Sequence, residues 1–235
     1  MGTDRIAMVV APHPDDAELA MGGTICRLVQ CGWVLVVVDL TDGEPTPRGT
    51  RERRAAETRE ASRLLGIDKR ICLGMPNRHL EATIENRREL AGVIRMHRPA
   101  VLFGPPAPDY HPDHAAAARL LEASRFEARL CKTDLPGQPH WTPRLYSYYA
   151  TYRPRRDWPS FIVDVTNVWD LKMAAVRAYE SQTASAPAGG RATLAECVEV
   201  MGRSFGLAIG CRYGEPFLSP EPIAIRDPAV FLGPD

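Results

Sequence analysis

The 235-residue sequence predicts an α/β chain: a Rossmann-like, doubly wound, mainly parallel sheet flanked by helices, with a C-terminal strand and helix annex. Three observations carry this. Short apolar runs without polar alternation mark strands covered on both faces, the habit of parallel sheets. Helical periodicity separates these runs, giving the order β-α-β-α-β-α-β. The length suits one core, and no internal repeat or linker divides it, so 1–235 is expected to be a single domain.

Arg5–Val10 (RIAMVV) is the first expected strand, and Trp33–Leu40 (WVLVVVDL) the second, dense in β-branched residues. Arg70–Leu73 is a short third, and Ala100–Gly104 (AVLFG) a fourth. The helices between them are Ala17–Gln30, Glu52–Leu65 and Ile84–Arg98. Gly66 stops the second of these and Pro99 ends the third. A fourth helix is expected over Asp113–Lys132. The last hundred residues offer strands at Arg144–Tyr149 and Ser160–Val165, and helices at Val168–Ser181 and Leu194–Gly206. Thr183–Arg191 (TASAPAGGR) reads as a mobile surface loop.

Lys plus Arg equals Asp plus Glu, 29 each. A chain with no net charge has no general basic field, which argues against a nucleic-acid partner and for a small molecule. No apolar run approaches the roughly 20 residues of a membrane span, and no charged, then apolar, leader opens the chain. Six cysteines without a CxxC pair suit reduced, buried thiols. A cytoplasmic enzyme is expected.

Two motifs carry chemistry. Ala11-Pro12-His13-Pro14-Asp15-Asp16 follows the first strand, and Asp109-Tyr110-His111-Pro112-Asp113-His114 follows the strand Ala100–Gly104. Ligands of open α/β sheets bind beyond the carboxyl ends of strands. Either loop alone could be a polar turn capping a helix, with Asp15 or Asp16 as N-cap. Two such loops at one sheet edge bring several His and Asp together. Imidazoles plus one carboxylate, with an open position, are the ligand set of a catalytic zinc. Pro12 and Pro14 stiffen the first turn, and Gly22-Gly23 allows close helix packing. A dinucleotide-binding module is the rival from another class. It wants G-x-G-x-x-G at the first turn, where this chain has APHPDD, whose carboxylates repel a pyrophosphate.

The pair HPDD and HPDH resembles the PIG-L/LmbE family of zinc N-deacetylases. Met21–Thr24, Thr41–Glu44, Gly49-Thr50 with Arg54 and Glu57, and Arg212–Phe217 (RYGEPF) are similar to the bacillithiol-biosynthesis branch, which deacetylates N-acetylglucosaminyl malate. The resemblance implies one Zn2+ per chain, or another divalent ion, on His13, Asp16 and His114. It implies Asp15 as general base and His111 facing the substrate carbonyl. A carboxylate beside an activated water can take its proton and return it to the leaving amine. A protonated His111 would stabilise the oxyanion, with Asp113 holding it protonated as a triad aspartate orients its histidine. The resemblance also implies an amino-sugar substrate and a homo-oligomer, hexameric in the nearest branch. A different acyl amide, such as a thiol conjugate or an antibiotic intermediate, is the rival within the class.

Among other residues, Arg54 matches the family's substrate-contacting arginine, and guanidinium suits hydroxyls and carboxylates. Arg51 or Arg53 is expected to reach an acidic aglycone. Asp42 and Glu44 follow the second strand, as sugar-hydroxyl partners or as turn residues. Asn77, in MPNRHL, stands where related sequences often carry Asp. His79, His97 and His140 have no ligand-like setting. Tyr179 and Gln182, in AYESQ, match a family segment without an assignable role.

Overall fold

The computed structural model describes residues 5–46, 48–149, 157–183 and 192–224. Seven strands form one sheet: β1 (Ile6–Ala11), β2 (Val34–Thr41), β3 (Lys69–Met75), β4 (Val101–Gly104), β5 (Arg144–Tyr148), β6 (Phe161–Asp164) and β7 (Gly214–Leu218). The helices are α1 (Asp16–Gln30), α2 (Arg51–Leu65), α3 (Ile84–His97), α4 (Pro112–Ala128), α5 (Trp169–Ala178), the short α6 (Glu180–Thr183) and α7 (Leu194–Ala208).

The spatial order is β3-β2-β1-β4-β5-β7-β6. The first five strands run parallel, and β7 runs antiparallel between β5 and β6. Alternate residues of β1 feed two cores: Ala7, Val9 and Ala11 pack into one, Met8 and Val10 into the other. Both faces are therefore covered, as the non-alternating runs predict. β1 lies beside β4, so the chain winds outward in both directions from this pair. That crevice is the topological switch point where such sheets bind ligands.

The helix ends follow local chemistry. Thr50 caps α2 through the Arg53 N–H, 3.2 Å away, and Gly66 closes it in the left-handed conformation at φ 71°. Thr193 and Glu196 form a capping box on α7. α4 ends at Ala128, four residues short of the expected Lys132. The helix expected over Val168–Ser181 is broken at Tyr179 into α5 and α6.

β7 is the element missing from the sequence expectation. It braces the site from behind. Glu215, buried on β7, accepts the N–H groups of Gly23 (2.9 Å) and Thr24 (2.6 Å) and the Thr24 hydroxyl (2.6 Å), and pairs with Lys172 at 2.6 Å. These N–H groups sit just past a break in α1 at Met21, whose φ is −142°. The carboxylate satisfies donors that the kink would otherwise orphan. A Cβ on Gly23 would lie 2.7 Å from Val165, so the close packing there requires glycine.

All six cysteines are free thiols, but only Cys26 is buried, which corrects the expectation of buried thiols. Cys31 and Cys131 sit just beyond helix ends and Cys72 on the edge strand, so water reaches them. The loop read at Thr183–Arg191 lies outside the described residues apart from Thr183, which ends α6. No helix among the described residues is long and apolar enough to cross a membrane.

Candidate metal centre and active site

The HPDD turn leaves β1 and the HPDH turn leaves β4, and their adjacency brings three imidazoles together. Ring centroids of His13, His111 and His114 lie 4.8–5.5 Å apart. Asp16 Oδ2 is 3.1 Å from His13 Nδ1 and 3.3 Å from His114 Nε2. One donor atom from each of His13, Asp16 and His114 falls within 4.8 Å of the others, a group that could hold a metal ion. The chemistry fits: two imidazoles and a carboxylate, largely shielded from water, are donors that suit a catalytic zinc.

Charges around the cluster support the same reading. Burial alone would lower the pKa of His13, but the Asp113 and Asp16 carboxylates raise it to about 9. Burial likewise opposes protonation of His114, and Asp16 and Asp109 carry it up to about 10. Asp16 is held well below the usual carboxylate range, because His114 and His13 outweigh its burial. The cluster favours positive charge, and a dication there would have to compete with bound protons.

Asp15 behaves differently from its neighbour. It occupies the N-cap position of α1 with φ 122° and makes no capping bond. This backbone is strained for a residue with a side chain, and such strain persists where surroundings over-determine it. Arg54 supplies that determination, donating to Asp15 Oδ2 (3.1 Å) and to the Pro14 carbonyl (2.8 Å). Burial and the Asp16 charge push the Asp15 carboxyl up to about 7, against Arg54 and His13. A buried carboxyl poised near neutrality is suited to proton transfer.

In the second turn, the Asp113 carboxylate makes its hydrogen bonds away from His111, although its charge favours the protonated ring. Its Oδ2 faces His13 Nε2 at 3.0 Å and accepts the Arg78 N–H at 2.8 Å, while Oδ1 accepts from Leu80 at 3.2 Å. Instead, His111 caps α4: its Nδ1 accepts the Asp113 backbone N–H at 3.2 Å. Burial and the positive His114 and His13 lower the His111 pKa. A neutral ring accepting at Nδ1 carries its proton on Nε2, which makes it a donor without being protonated. The Asp113–His13 pair fixes the opposite ring, leaving His13 Nδ1 toward Asp16, the carboxylate–imidazole arrangement that supports metal ligands.

A pocket of about 120 Å³ opens beside the cluster, lined by His13, Asp15, Arg54, Asn77, His111 and Gln182, with Arg78 and Thr46 at its side. Arg54 and Asn77 thus fall where the sequence expects substrate residues. Arg51 and Arg53 do not line this pocket. Arg51 pairs with Asp42 at 3.1 Å, and Arg53 pairs with Glu57 and Glu180 at 3.2 and 3.5 Å. Successive helical residues point about 100° apart, so only one of this arginine run turns inward. Asp42 is drawn off with Arg51. Glu44 is buried, accepts the Thr46 N–H and hydroxyl at 2.7 and 2.8 Å, and stands 3.9 Å from Arg54, shaping the loop behind the pocket.

Two residues, Asp109 and Arg78, escape the sequence reading, and two more, Gln182 and Tyr179, gain a role. Asp109 stands 3.7 Å from His114 Nδ1 and accepts the His111 N–H at 2.8 Å; its place in the second motif is the available signal. Gln182 reaches the pocket because Glu57 grips Ser181 through N–H and hydroxyl at 2.8 and 2.6 Å. Tyr179 donates to Glu18 at 3.1 Å, a buried role under the site. Arg78 has no signal beyond lying beside Asn77.

Comparison with known proteins places this geometry. The family model described as PIG-L: GlcNAc-PI de-N-acetylase matches residues 8–124, which span both motifs. The chain is 33% identical over 190 residues to the diacetylchitobiose deacetylase of Thermococcus kodakarensis, covering 74% of this chain and 69% of that one. This chain belongs to the PIG-L family. The conserved protein TT1542 of Thermus thermophilus superposes on this PIG-L member with a TM-score of 0.85 at 42% identity, covering 93% of this chain and 96% of the other. The 4-oxalmesaconate hydratase of Pseudomonas putida is 26% identical over 193 residues, covering 76% and 74% of the two chains.

Proposed function

We propose that this PIG-L chain is a zinc-dependent hydrolase that removes the N-acetyl group from an N-acetylglucosamine derivative, with N-acetylglucosaminyl malate the expected substrate. The observation that carries this is the cluster of His13, Asp16 and His114 beside a pocket that His13 and the uncapped, buried Asp15 line. His13, Asp16 and His114 would hold the ion; another divalent metal fits the same donors. When bound, a zinc ion polarises the acetyl carbonyl and lowers the pKa of water to about 7.

The chain's own groups do the rest. Asp15 takes a proton from the attacking water as its oxygen bonds the acetyl carbon. The C–N bond then breaks, and Asp15 returns the proton to the leaving nitrogen, giving a free amine and acetic acid, which loses its proton to solvent as acetate. His111 donates from Nε2 to the oxyanion. Arg54 positions Asp15, and Asn77 and Gln182 offer amide groups to sugar hydroxyls. Asn77 can donate as well as accept, as a carboxylate could not.

The hydratase relative also consumes water, so acetate release separates the two chemistries. In this reading residues 1–235 act as one unit, in a cytoplasmic homo-oligomer, on a small molecule. A dinucleotide would meet Asp15 and Asp16 at the turn where its pyrophosphate must sit. The test is acetate release from a panel: N-acetylglucosamine, N,N′-diacetylchitobiose, N-acetylglucosaminyl malate and non-sugar N-acyl amides. Release from a sugar derivative, lost on chelation and restored by zinc, is expected. Turnover confined to non-sugar amides would transfer the activity to a thiol-conjugate or antibiotic-type substrate, and no acetate from any would sink the reading.

A further inference from the structure

Three described non-glycine residues hold a positive φ: Asp15, Arg78 and Arg98. Asp15 is accounted for by its pocket. Arg98 is the C-cap of α3 just before Pro99, an ordinary place for a left-handed residue. Arg78, at φ 67°, ends no helix and lies in the loop between β3 and α3. Glycine or asparagine usually fills such a position, since a Cβ is disfavoured there. The surroundings hold it: the Arg78 N–H donates to the Asp113 oxygen that also faces His13. The backbone of this arginine is thereby anchored to the candidate metal cluster.

Its side chain is placed differently from that of the other pocket arginine. Arg54 is buried and committed to Asp15, Pro14 and Glu44. Arg78 is exposed at the pocket wall. Its Nη2 donates to the Pro45 carbonyl at 2.6 Å, bridging to the β2–α2 loop. Among the described residues no carboxylate pairs with it. A guanidinium has five donors in a planar fork, so most of this one remains available to a ligand. The chain has no net charge to attract an anion from afar, and a local cation must do so.

We propose that Arg78 determines specificity by receiving a carboxylate on the aglycone side of the substrate, beyond the N-acetyl sugar. This rests on the deacetylase reading of the pocket, and deepens it. A planar fork meets a carboxylate in two parallel hydrogen bonds, and the anchored backbone fixes where it points. Arg78 lines the pocket, whereas Arg51 and Arg53 do not and face Asp42, Glu57 and Glu180.

The test uses the full-length protein with its metal and the variants Arg78→Asn and Arg78→Lys. Asparagine tolerates the left-handed backbone, so Tm should move little. Direct binding of glucosaminyl malate, the product of the proposed reaction, is measured by calorimetry, and the KM of N-acetylglucosaminyl malate is compared with that of neutral diacetylchitobiose. Arg78→Asn should weaken product binding and raise KM for the malate conjugate about tenfold or more, the usual worth of a charge-assisted contact. The kcat, and both constants for diacetylchitobiose, should change less than about twofold. Arg78→Lys should restore part of the loss, and added salt should erode the wild-type preference but not that of Arg78→Asn. Equal binding of glucosaminyl malate by wild type and Arg78→Asn, or equal KM changes for both substrates, overturns the assignment. Because binding is read without turnover, a protein that releases no acetate yet binds the product through Arg78 would overturn the reaction and keep the subsite.

Discussion

Two concavities open at the same edge of the sheet, and the larger is the less equipped. One, of about 450 Å³, is lined by Arg51, Arg59, Arg63, Arg70, Asp39 and Asp42 among others. The other, about 120 Å³, is lined by His13, His111 and Asp15 among others. In the larger, three of these arginines have acidic partners, while Arg59 has no ion pair among the described residues. Arg70 spans Asp39 and Glu18, Arg51 meets Asp42, and Arg63 meets Glu60. Beside the smaller, Asp16, Asp109 and Asp113 surround His13 and His114, whose pKa values rise in response. Paired ions hold a structure together. An excess of carboxylate around imidazole calls for a cation, and that imbalance, more than volume, marks the chemistry.

The contrast is broken most sharply by emptying the smaller pocket. Changing His13 or His114 to Ala should abolish metal retention and bring acetate release to background, read by metal analysis beside turnover; full occupancy in both variants would refute the ligand assignment. Asp15→Asn should keep the metal and lose roughly 10²–10⁴ in kcat, and near-normal turnover would reassign proton transfer. His111→Ala should cost about 10²-fold, again with metal retained. Asp113→Asn should weaken metal affinity by about 10–100-fold, because His13 loses the carboxylate that orients it. An unchanged affinity there would mean that Asp113 serves only the Arg78 and Leu80 backbone.

Proton competition sharpens the same point. In the metal-free protein His13 and His114 titrate near 9 and 10, above the ordinary 6.5. Their contribution to folding stability is therefore complete below about pH 6.5 and lost as pH rises through 9–10. A metal must displace these protons, so its apparent affinity should climb from about pH 6 to 9, with proton release measurable by calorimetry in two buffers. Affinity flat with pH would show that the imidazoles are not ligands. The larger cavity gives the smallest catalytic effect. Arg70→Ala should destabilise by about 3–5 kcal/mol, leaving two buried carboxylates without a partner, while kcat of the folded protein stays within about twofold.

The sequence shows most of this architecture where signals are local. The apolar runs at β1, β2 and β4 and the proline-flanked motifs locate the switch point and the ligand cluster, because strand periodicity and motif spacing live within a few residues. β7 is hidden by Pro216, a poor strand residue; the β5 ladder involves only Phe217 and Leu218, so the proline lies beyond it. What joins distant parts is not legible. The Asp113–His13 pairing crosses 100 residues, Glu215 meets Thr24 across 191, and Arg78 reaches the pocket only through a left-handed backbone. Adjacent arginines on α2 look equivalent in sequence, and only helix phase separates Arg54 from Arg51 and Arg53.

The most direct measurement is metal-dependent acetate release by Asp15→Asn beside Asp16→Asn, with metal content determined on the same samples. The two carboxylates are neighbours, yet one is uncapped beside Arg54 and the other faces two imidazoles. The account predicts full metal and little acetate for Asp15→Asn, and depleted metal for Asp16→Asn with activity partly regained in excess zinc. Metal lost from Asp15→Asn and kept by Asp16→Asn would contradict it.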